Sequence, residues 1–431
     1  MDSTSALPPE LLYAIFDHIG LWDIIRASHV SQRWRVLACH HPTYWRRVVL
    51  REDKHFYFVP ATIDRAIAQL TRSSASPIDV SVVRHFIEPA ARAQAQFNDL
   101  HRVLVENFHR IGALVLHVLG TECDVGPTYS TILQQVSATG LSSQIHLRHL
   151  TLTNVQLPEA TTLFEGVVSF RYMASDGLDV MAVNRLIAMF PVLEELDLTG
   201  VELDASTIPV GIESWISHIR YLRLYAPRSR DFLALPSIAR IPHVCVANPT
   251  VSDATSIVSH ICKVQVDVEL GLTYIKESRF CQPLTLVTRP TGLTRALEFM
   301  DSVSLPDVQN LASLSASISN LSIPIDDWEE AIGALPHLVS LRSLTLRLVT
   351  HLPIIVDTEL HAPHLHELVL IDAFNDKTEI HAHRLEQFLS TFNPSCDSRV
   401  HLSLDGVILD EWSDGLVKLL ANGAELRDKC V

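Results

Sequence analysis

One short pattern of apolar residues, apolar-x-x-apolar-x-apolar, recurs along most of the 431-residue chain. Successive copies mostly begin about 20 to 26 residues apart, a period typical of one strand with its return segment. A single unit of this kind cannot bury its own apolar stripe, whereas stacked neighbours can, so we expect a continuous array. The copies are Ile111-Leu114-Leu116, Leu147-Leu150-Leu152, Val167-Phe170-Tyr172, Leu193-Leu196-Leu198, Ile219-Leu222-Leu224, Ile241-Val244-Val246, Ile261-Val264-Val266, Ile318-Leu321-Ile323, Leu341-Leu344-Leu346, Leu365-Leu368-Leu370 and a weaker Leu402-Leu404.

The segments between these copies contain short helical patterns, such as the one that ends at Pro191 and the one that ends at Pro394. Strand and helix signals therefore alternate, which predicts an α/β fold. The array resembles leucine-rich repeats, although the Asn that is usual in strict repeats occurs once, as Asn154. We expect an irregular leucine-rich-repeat-like solenoid of alternating strands and helices, with a helix-only solenoid as the competing fold. Residues 271–310 fit the period poorly, which predicts an insertion or a hairpin there.

The first fifty residues follow a different, helical pattern. Apolar positions at 11, 12, 15, 16 and 19 form one broad face of an amphipathic helix that ends near Gly20. A second helix is expected over Trp22 to His29. A third is capped by Ser31 and ends at His41-Pro42, and a last helical turn is expected over Thr43 to Val49. The predicted core holds Ile15, Phe16, Ile19, Ile24, Val30, Trp34 and Trp45.

This unit is too small to be very stable alone, so an apolar edge left on it predicts a partner site. Its residues resemble an F-box along the whole length of that motif: Leu7-Pro8-x-Glu10-Leu11, Ile15-Phe16, Ile19, Asp23, Val30-Ser31, Arg33-Trp34-Arg35, Ala38 and Trp45. Ile24-Ile25 stands where Leu is usual, and Ser31 where Cys is frequent. Large sets of F-box proteins in mushroom-forming fungi have a similar layout. The alternative is that these residues only build a helical cap.

The F-box resemblance implies binding to a Skp-family adaptor and, through it, to a cullin. By that resemblance the adaptor-binding residues are Leu7, Pro8, Leu11 and Ile15, and the F-box core residues are Phe16, Ile19, Val30, Trp34 and Trp45. The predicted organisation is an F-box at residues 1–50, a helical linker with the start of the repeat array at 51–110, and the solenoid at 111–431.

Side chains that alternate with the strand leucines are expected on the open face of the array. They carry both signs of charge and include two tyrosines, which are common anchors at protein interfaces. We therefore expect a target protein to bind there. The candidates are His149, Glu195, Asp197, Tyr221, Arg223, Tyr225, Arg347 and Glu367, with Thr151, Lys263, Gln265, Glu298 and Thr345 at equivalent positions.

Composition and charge argue against several classes of function and location. The net charge of −15 argues against nucleic acid as the main partner. The seven cysteines are scattered without a C-x-x-C pair, which is typical of free thiols in a reducing compartment. No signal peptide and no bilayer-spanning stretch is apparent, so a cytoplasmic or nuclear location is expected.

Nothing in the sequence predicts catalysis, a cofactor or a metal site. No catalytic or phosphate-binding motif is found. The histidines His361, His364, His366, His381 and His383 cluster, but their spacing does not match a zinc motif. We therefore expect a non-enzymatic substrate-recognition subunit of an SCF-type (Skp–cullin–F-box) E3 ubiquitin ligase. A protein-interaction scaffold outside ubiquitination is the alternative, and an enzyme with an unrecognised site on the repeat surface is a third hypothesis.

Overall fold

The computed structural model of the chain divides by its internal contacts into two units, Met1–Gly200 and Val201–Val431. The structure describes residues 7–51, 60–72, 77–85, 91–119, 133–136, 146–155, 157–158, 164–173, 180–199, 212–225, 230–233, 235–262, 267–272, 284–289, 291–298, 308, 311–335, 337–348, 361–372, 378–390, 400–409 and 426–428.

Unit 1 begins with four short helices that surround a small apolar cluster. They are α1 (Pro9–His18), α2 (Leu21–Ala27), α3 (Gln32–His40) and α4 (Pro42–Arg46). Ser31 caps α3 as predicted, because its hydroxyl accepts a hydrogen bond from the Trp34 N–H at 3.3 Å. The cluster is centred on Phe16, Ile24 and Ala38, which the solvent does not reach.

The last predicted helical turn is wrong from Arg47 onward. Arg47–Arg51 is strand β1, which pairs in parallel with β2 (Ile78–His85). The reason is the period-two alternation of these five residues: Val48 and Leu50 are buried, whereas Arg47 and Arg51 are exposed.

The remaining strands of unit 1 continue this sheet in chain order, and every described pairing is parallel. Leucine, valine and phenylalanine side chains fill one face. The further strands are β3 (Ile111–Leu119), β4 (His149–Thr153), β5 (Ser169–Met173) and β6 (Glu195–Thr199). The helices are α5 (Pro60–Arg72), α6 (Ala91–Asn107), α7 (133–136) and α8 (Val180–Met189). They lie in the β1–β2, β2–β3, β3–β4 and β5–β6 connections.

Unit 2 contains a second parallel-rich arrangement of strands. Its strands are β7 (Tyr221–Tyr225), β8 (His243–Ala247), β9 (Asp267–Leu272), β10 (Leu284–Arg289), β11 (Thr294–Glu298), β12 (Ile318–Pro324), β13 (Ser343–Leu348), β14 (Glu367–Asp372), β15 (Thr378–Ile380), β16 (His401–Asp405), β17 (Val407–Leu409) and β18 (Leu426–Asp428). Its helices are α9 (Ile212–Ile216), α10 (Arg230–Leu233), α11 (Val251–Cys262), α12 (Leu311–Leu314), α13 (Trp328–Ala334) and α14 (Ala382–Ser390).

The strands of unit 2 follow the order β7-β8-β11-β10-β9-β12-β13-β14-β16-β18, while β15 and β17 pair separately. The departure from chain order is the predicted irregularity of residues 271–310. There β9, β10 and β11 are antiparallel neighbours, so the predicted hairpin is confirmed. Gly292, at φ 70°, lies in the β10–β11 turn, where a positive φ favours glycine. The parallel strands of both units contradict the helix-only alternative.

One predicted strand copy, Ile261-Val264-Val266, is wrong. Ile261 lies in helix α11, and Val264 and Val266 fall outside the described residues. The helix begins at a reciprocal cap, in which the Thr250 hydroxyl donates to Asp253 Oδ2 at 2.7 Å and accepts from the Asp253 N–H at 3.2 Å. Among the helices of the described ranges, none combines the length and the apolar character needed to cross a membrane.

Candidate functional site

Helix α1 has a buried side and an exposed apolar side. Leu12 and Phe16 are fully buried, whereas Leu11 is 52% exposed and Ile15 is 43% exposed. Leu11 and Ile15 are four residues apart, so they lie one turn apart on the same helix face. Two large apolar side chains thus remain in contact with water on a unit that has little core of its own.

The segment before α1 is fixed to α3. A guanidinium N–H of Arg33 donates a hydrogen bond to the Leu7 carbonyl, which leaves the Leu7 side chain half-buried and Pro8 exposed. The four residues predicted to bind an adaptor therefore lie on one continuous segment that begins before α1 and runs along its exposed side.

The predicted F-box core is largely packed as expected. Phe16 is buried, and Ile19 and Trp34 pack against the central cluster. Trp45 is half-buried, and its indole N–H donates to the Cys39 carbonyl.

Ile15 was predicted both in the core of the helical unit and at the adaptor surface, and its 43% exposure contradicts the core position. Val30 is the second exception, because its side chain is 64% exposed. It lies in the turn between α2 and α3, where the Val30 N–H donates to the Ala27 carbonyl and the side chain is left in solvent. Its placement in the core is therefore wrong. Val36, on α3, is also half exposed and was not predicted as a surface residue. Helical periodicity could have indicated the exposure of Val36. The inward side of α3 carries Trp34, Leu37 and Ala38, and Val36 does not lie on it.

His41 belongs to the packed interior of this unit, although the sequence indicated only a helix end there. Its ring lies 5.5 Å from that of Tyr13 and 5.6 Å from that of Phe16. Its Nε2 is 3.3 Å from a carboxylate oxygen of Asp17. The following Pro42 accounts for the end of α3 but gives no sign that the imidazole is buried.

Polar contacts attach the four helices to the sheet of unit 1. The Gln69 side chain on α5 donates to the Tyr44 carbonyl at 3.3 Å. The Nε of Arg46, at the end of α4, lies 3.5 Å from Oδ2 of Asp79 on β2. Together with strand β1, which begins directly after α4, these contacts join the helical unit to the first strands.

In unit 1, the open face of the sheet carries part of the predicted target-binding set. His149 and Glu195 are exposed at register positions of one row, as predicted. Asp197 is only 5% exposed, and its Oδ2 lies 2.6 Å from Nε of Arg171 on the neighbouring strand. The prediction of Asp197 as an exposed contact residue is therefore wrong. Burial, assisted by the positive charge of Arg171, lowers the pKa of His117 on this face.

In unit 2, Tyr221, Arg223 and Tyr225 are half-exposed on β7, and Arg223 pairs with Glu298 of β11 at 2.6 Å. Cys245 on β8 lies beside this ion pair. Burial, followed by the charge of Glu298, raises the pKa of its thiol well above the ordinary value, so the thiol stays protonated at neutral pH.

The other candidates of unit 2 lie on β13 and β14. Arg347 and Thr345 are half-exposed on β13, and Glu367 is exposed on β14. Lys263 and Gln265 fall outside the described residues. Ordinary strand alternation thus predicted the open face correctly here, while the ion pairs between neighbouring strands required the structure.

A groove of about 500 Å³ opens on this face of unit 2. It lies across β10, β9, β12, β13 and β14, and Glu269 and Glu367 line it. The Asn320 amide donates to Glu269 at 2.7 Å, and the Ser343 hydroxyl donates to Glu367 at 2.9 Å. The sequence did not predict the groove, because residues 271–310 had no assigned strand order.

Metal ligation has no geometric support within the described ranges. No group of three or more His, Cys, Asp or Glu side chains there is arranged to hold an ion. His381 and His383 stack with their ring centres 5.6 Å apart, and His361, His364 and His366, earlier in the sequence, are exposed.

The comparisons with known proteins address the N-terminal helices. The family described as F-box-like matches residues 4–51. No curated protein matches the chain. This match covers the four helices and the buried cluster around Phe16, and it ends at the last residue of β1. The sequence resemblance, the packing and the family match together identify residues 4–51 of this chain as an F-box-like domain.

Proposed function

We propose that the chain is the substrate-recognition subunit of an SCF-type E3 ubiquitin ligase. F-box domains in general bind Skp-type adaptors, and F-box proteins are typically adaptors without enzymatic activity. The observation that carries the proposal is the exposed apolar side of α1, where Leu11 and Ile15 remain in water beside the buried Leu12 and Phe16. Such complexes act in the cytoplasm and the nucleus, where we expect this chain.

The proposed adaptor surface comprises Leu7, Pro8, Leu11 and Ile15, with a cullin recruited through the adaptor. Burying the exposed part of one Leu or Ile side chain contributes roughly 1 kcal/mol to binding. Several such side chains on one rigid segment therefore account for a specific interface with a hydrophobic centre. Their counterparts Phe16, Ile19, Trp34 and Trp45 maintain the shape of that segment.

We assign target capture to residues 51–431, whose repeated strands we take to be leucine-rich-repeat-like. The open faces of these strands carry His149, Glu195, Tyr221, Arg223, Tyr225, Arg347 and Glu367 as the proposed contact residues. The mechanism needs no catalytic group on this chain. Holding a target close to the ubiquitin-charged enzyme raises its effective concentration there, which is sufficient to speed its modification.

The direct test is co-purification of the full chain with a Skp-type adaptor and a cullin. The variant Leu11→Ala/Ile15→Ala removes the exposed apolar side of α1, and we expect its affinity for the adaptor to fall roughly tenfold or more. The matched control is Val339→Ala, since Val339 is an exposed apolar residue of unit 2. Both proteins should unfold at the same denaturant concentration as the wild type.

Equal adaptor binding by the wild type and the double variant would refute the proposed adaptor surface. Adaptor binding without recruitment of the cullin would instead favour a protein-interaction scaffold that acts outside ubiquitination.

A further inference from the structure

Lysine and arginine are distributed differently along the chain. Of its 34 basic residues, six are Lys and the others are Arg. None of the residues that the structure describes is a Lys, whereas every Arg except Arg228, Arg279 and Arg399 is among them. The six lysines, which all fall outside the described residues, are Lys54, Lys263, Lys276, Lys377, Lys418 and Lys429.

This difference in position argues against a general bias of composition. A preference of the whole gene for Arg codons would reduce Lys to the same degree in every part of the chain. Lys instead outnumbers Arg outside the described residues and is absent among them. Helix formation does not account for the difference either, because Lys and Arg have nearly equal helix propensities. The cause therefore acts on the described elements in particular.

Packing explains the choice of Arg at only a few positions. Arg110 and Arg295 are buried and donate hydrogen bonds to backbone carbonyls, for which Lys lacks the planar fork of the guanidinium. Many other described arginines are exposed, and packing does not select between Arg and Lys there. The exposed arginines are Arg26, Arg35, Arg46, Arg47, Arg51, Arg102, Arg148, Arg171, Arg220, Arg240 and Arg342.

Ion pairs within the helices do not require Arg at the exposed positions. On α2, Nη1 of Arg26 lies 3.2 Å from Oδ1 of Asp23. On α6, Nη2 of Arg102 lies 3.3 Å from Oδ1 of Asp99. Exposed pairs of this kind contribute at most roughly 1 kcal/mol, and Lys forms them as well. The stability of the fold therefore does not select Arg over Lys on this surface.

Ubiquitin transfer, in contrast, distinguishes the two side chains. The Lys amine attacks the thioester carbonyl of the charged enzyme. An isopeptide bond forms, the thioester bond breaks, and the enzyme's thiolate leaves and takes up the proton that the amine releases. Arg keeps its charge and has no free amine, so it does not accept ubiquitin.

The proposed complex holds its receptor near the charged enzyme whether or not a target is bound. A Lys on the surface of the receptor would therefore compete with the target at a high effective concentration. An Arg at the same position keeps the positive charge and removes the competing acceptor.

We infer that the described surface of this chain is free of Lys because the ligase would otherwise transfer ubiquitin to its own receptor in place of the bound target. The inference rests on the proposed ligase role and adds a control on which protein is modified. Replacing exposed arginines by Lys should create new acceptors and leave the fold unchanged.

The test introduces lysines at three exposed positions and follows self-modification of the full chain. The variant Arg102→Lys/Arg240→Lys/Arg342→Lys is combined with a Skp-type adaptor, a cullin and the charged enzyme. We expect it to acquire ubiquitin roughly twofold or more faster than the wild type, with ubiquitin located on the introduced lysines by mass spectrometry. The matched control is Arg102→Gln/Arg240→Gln/Arg342→Gln, which changes the same positions without adding an amine.

Three results would overturn the inference. The first is the absence of ubiquitin from all three introduced lysines while free ubiquitin chains show that the reaction is active. The second is an equal rise in rate with the Gln variant, which would point to altered structure and not to new acceptors. The third is a lower urea midpoint for the Lys variant than for the wild type, which would mean that Arg is retained for stability.

The same preparation separates this inference from the proposed function. If the adaptor and the cullin co-purify with the chain and the introduced lysines stay unmodified, the ligase role stands and the inference fails. If neither the adaptor nor the cullin co-purifies, the ligase role itself fails, and the inference that rests on it fails too.

Discussion

At the scale of single residues, Arg295 is the most unusual buried group of unit 2. It lies on β11 without solvent exposure, yet its hydrogen bonds go to backbone carbonyls. The guanidinium donates to Ala239 at 2.7 Å and to Ile241 at 2.9 Å, in the turn that leads into β8. Burial lowers its pKa to about 10, so the group remains charged at neutral pH. Arg295 thus fixes the point at which the chain enters β8.

We predict that Arg295→Met lowers the free energy of unfolding by about 3 kcal/mol, because it removes the donor from the buried Ile241 carbonyl and from the partly buried Ala239 carbonyl. Methionine fills much of the same volume, so a cavity contributes little to the loss. Urea unfolding measures the effect, and Arg240→Met, in an exposed position of the same turn, is the control. A cost below about 1 kcal/mol would show that water replaces the guanidinium.

Adjacent F-box residues show the limit of sequence reasoning at this scale. Ile15 and Phe16 lie on one broad apolar face, and their hydrophobicity does not distinguish them. The structure buries Phe16 completely and leaves Ile15 exposed, because α3 and His41 cover only one side of that face. The resemblance to an F-box predicts a buried Phe16 and an outward-facing Ile15, and the exposure of the two side chains agrees with this, whereas adaptor binding by Ile15 stays a prediction. The resemblance failed at Val30, where the turn between α2 and α3 directs the side chain to solvent.

At the scale of elements, strand β1 connects the F-box-like domain to the sheet of unit 1. Its period-two alternation covers only five residues, which is also short enough to continue a helical turn, and its partner β2 begins at Ile78. Local pattern reasoning therefore continued the preceding helix, because the pairing that stabilises β1 is far away in sequence. A domain boundary drawn after residue 50 cuts through β1, so removing residues 1–50 would remove a strand as well as the adaptor surface.

We predict that a chain beginning at Arg47, which keeps β1, is more stable and less prone to associate than one beginning at Glu52. Without β1, the side of β2 that pairs with β1 becomes a sheet edge with unpaired backbone groups. The apolar side chains that pack beside Val48 and Leu50 also lose their cover. Urea midpoints and size-exclusion profiles compare the two truncations. Identical profiles would mean that β1 contributes nothing to the sheet. This expectation is also why point variants of α1 are preferable to truncation as a test of adaptor binding.

At the scale of the whole molecule, the repeat period predicted most strand positions. Apart from the copy at Ile261, each strong copy of the apolar pattern coincides with a strand in its described part. The predicted strand at Ile261 is wrong because apolar residues at i and i+3 also lie on one side of a helix. The hydrogen-bonded cap at Thr250 stabilises the start of helix α11, which contains Ile261. The groove of unit 2 could not be predicted from the sequence either. Its walls come from strands whose neighbours in space are not neighbours in sequence, and only the order β10-β9-β12 brings them together.

The proposed division of labour makes a last prediction about the complete chain. A lysine-containing protein that co-purifies with residues 51–431 should be ubiquitinated in a reconstituted reaction with the full chain, a Skp-type adaptor, a cullin and the charged enzyme. Leu11→Ala/Ile15→Ala should slow this reaction roughly tenfold or more through weaker adaptor binding, while binding of the target persists. Glu367→Gln should slow it roughly fivefold at low target concentration while adaptor binding persists, since the rate follows the fraction of target bound. Val339→Ala is the control for the double variant, and Glu379→Gln, in an exposed position on β15, is the control for Glu367→Gln. Equal rates with the wild type and Glu367→Gln would show that the target reaches the ligase through another surface of the chain.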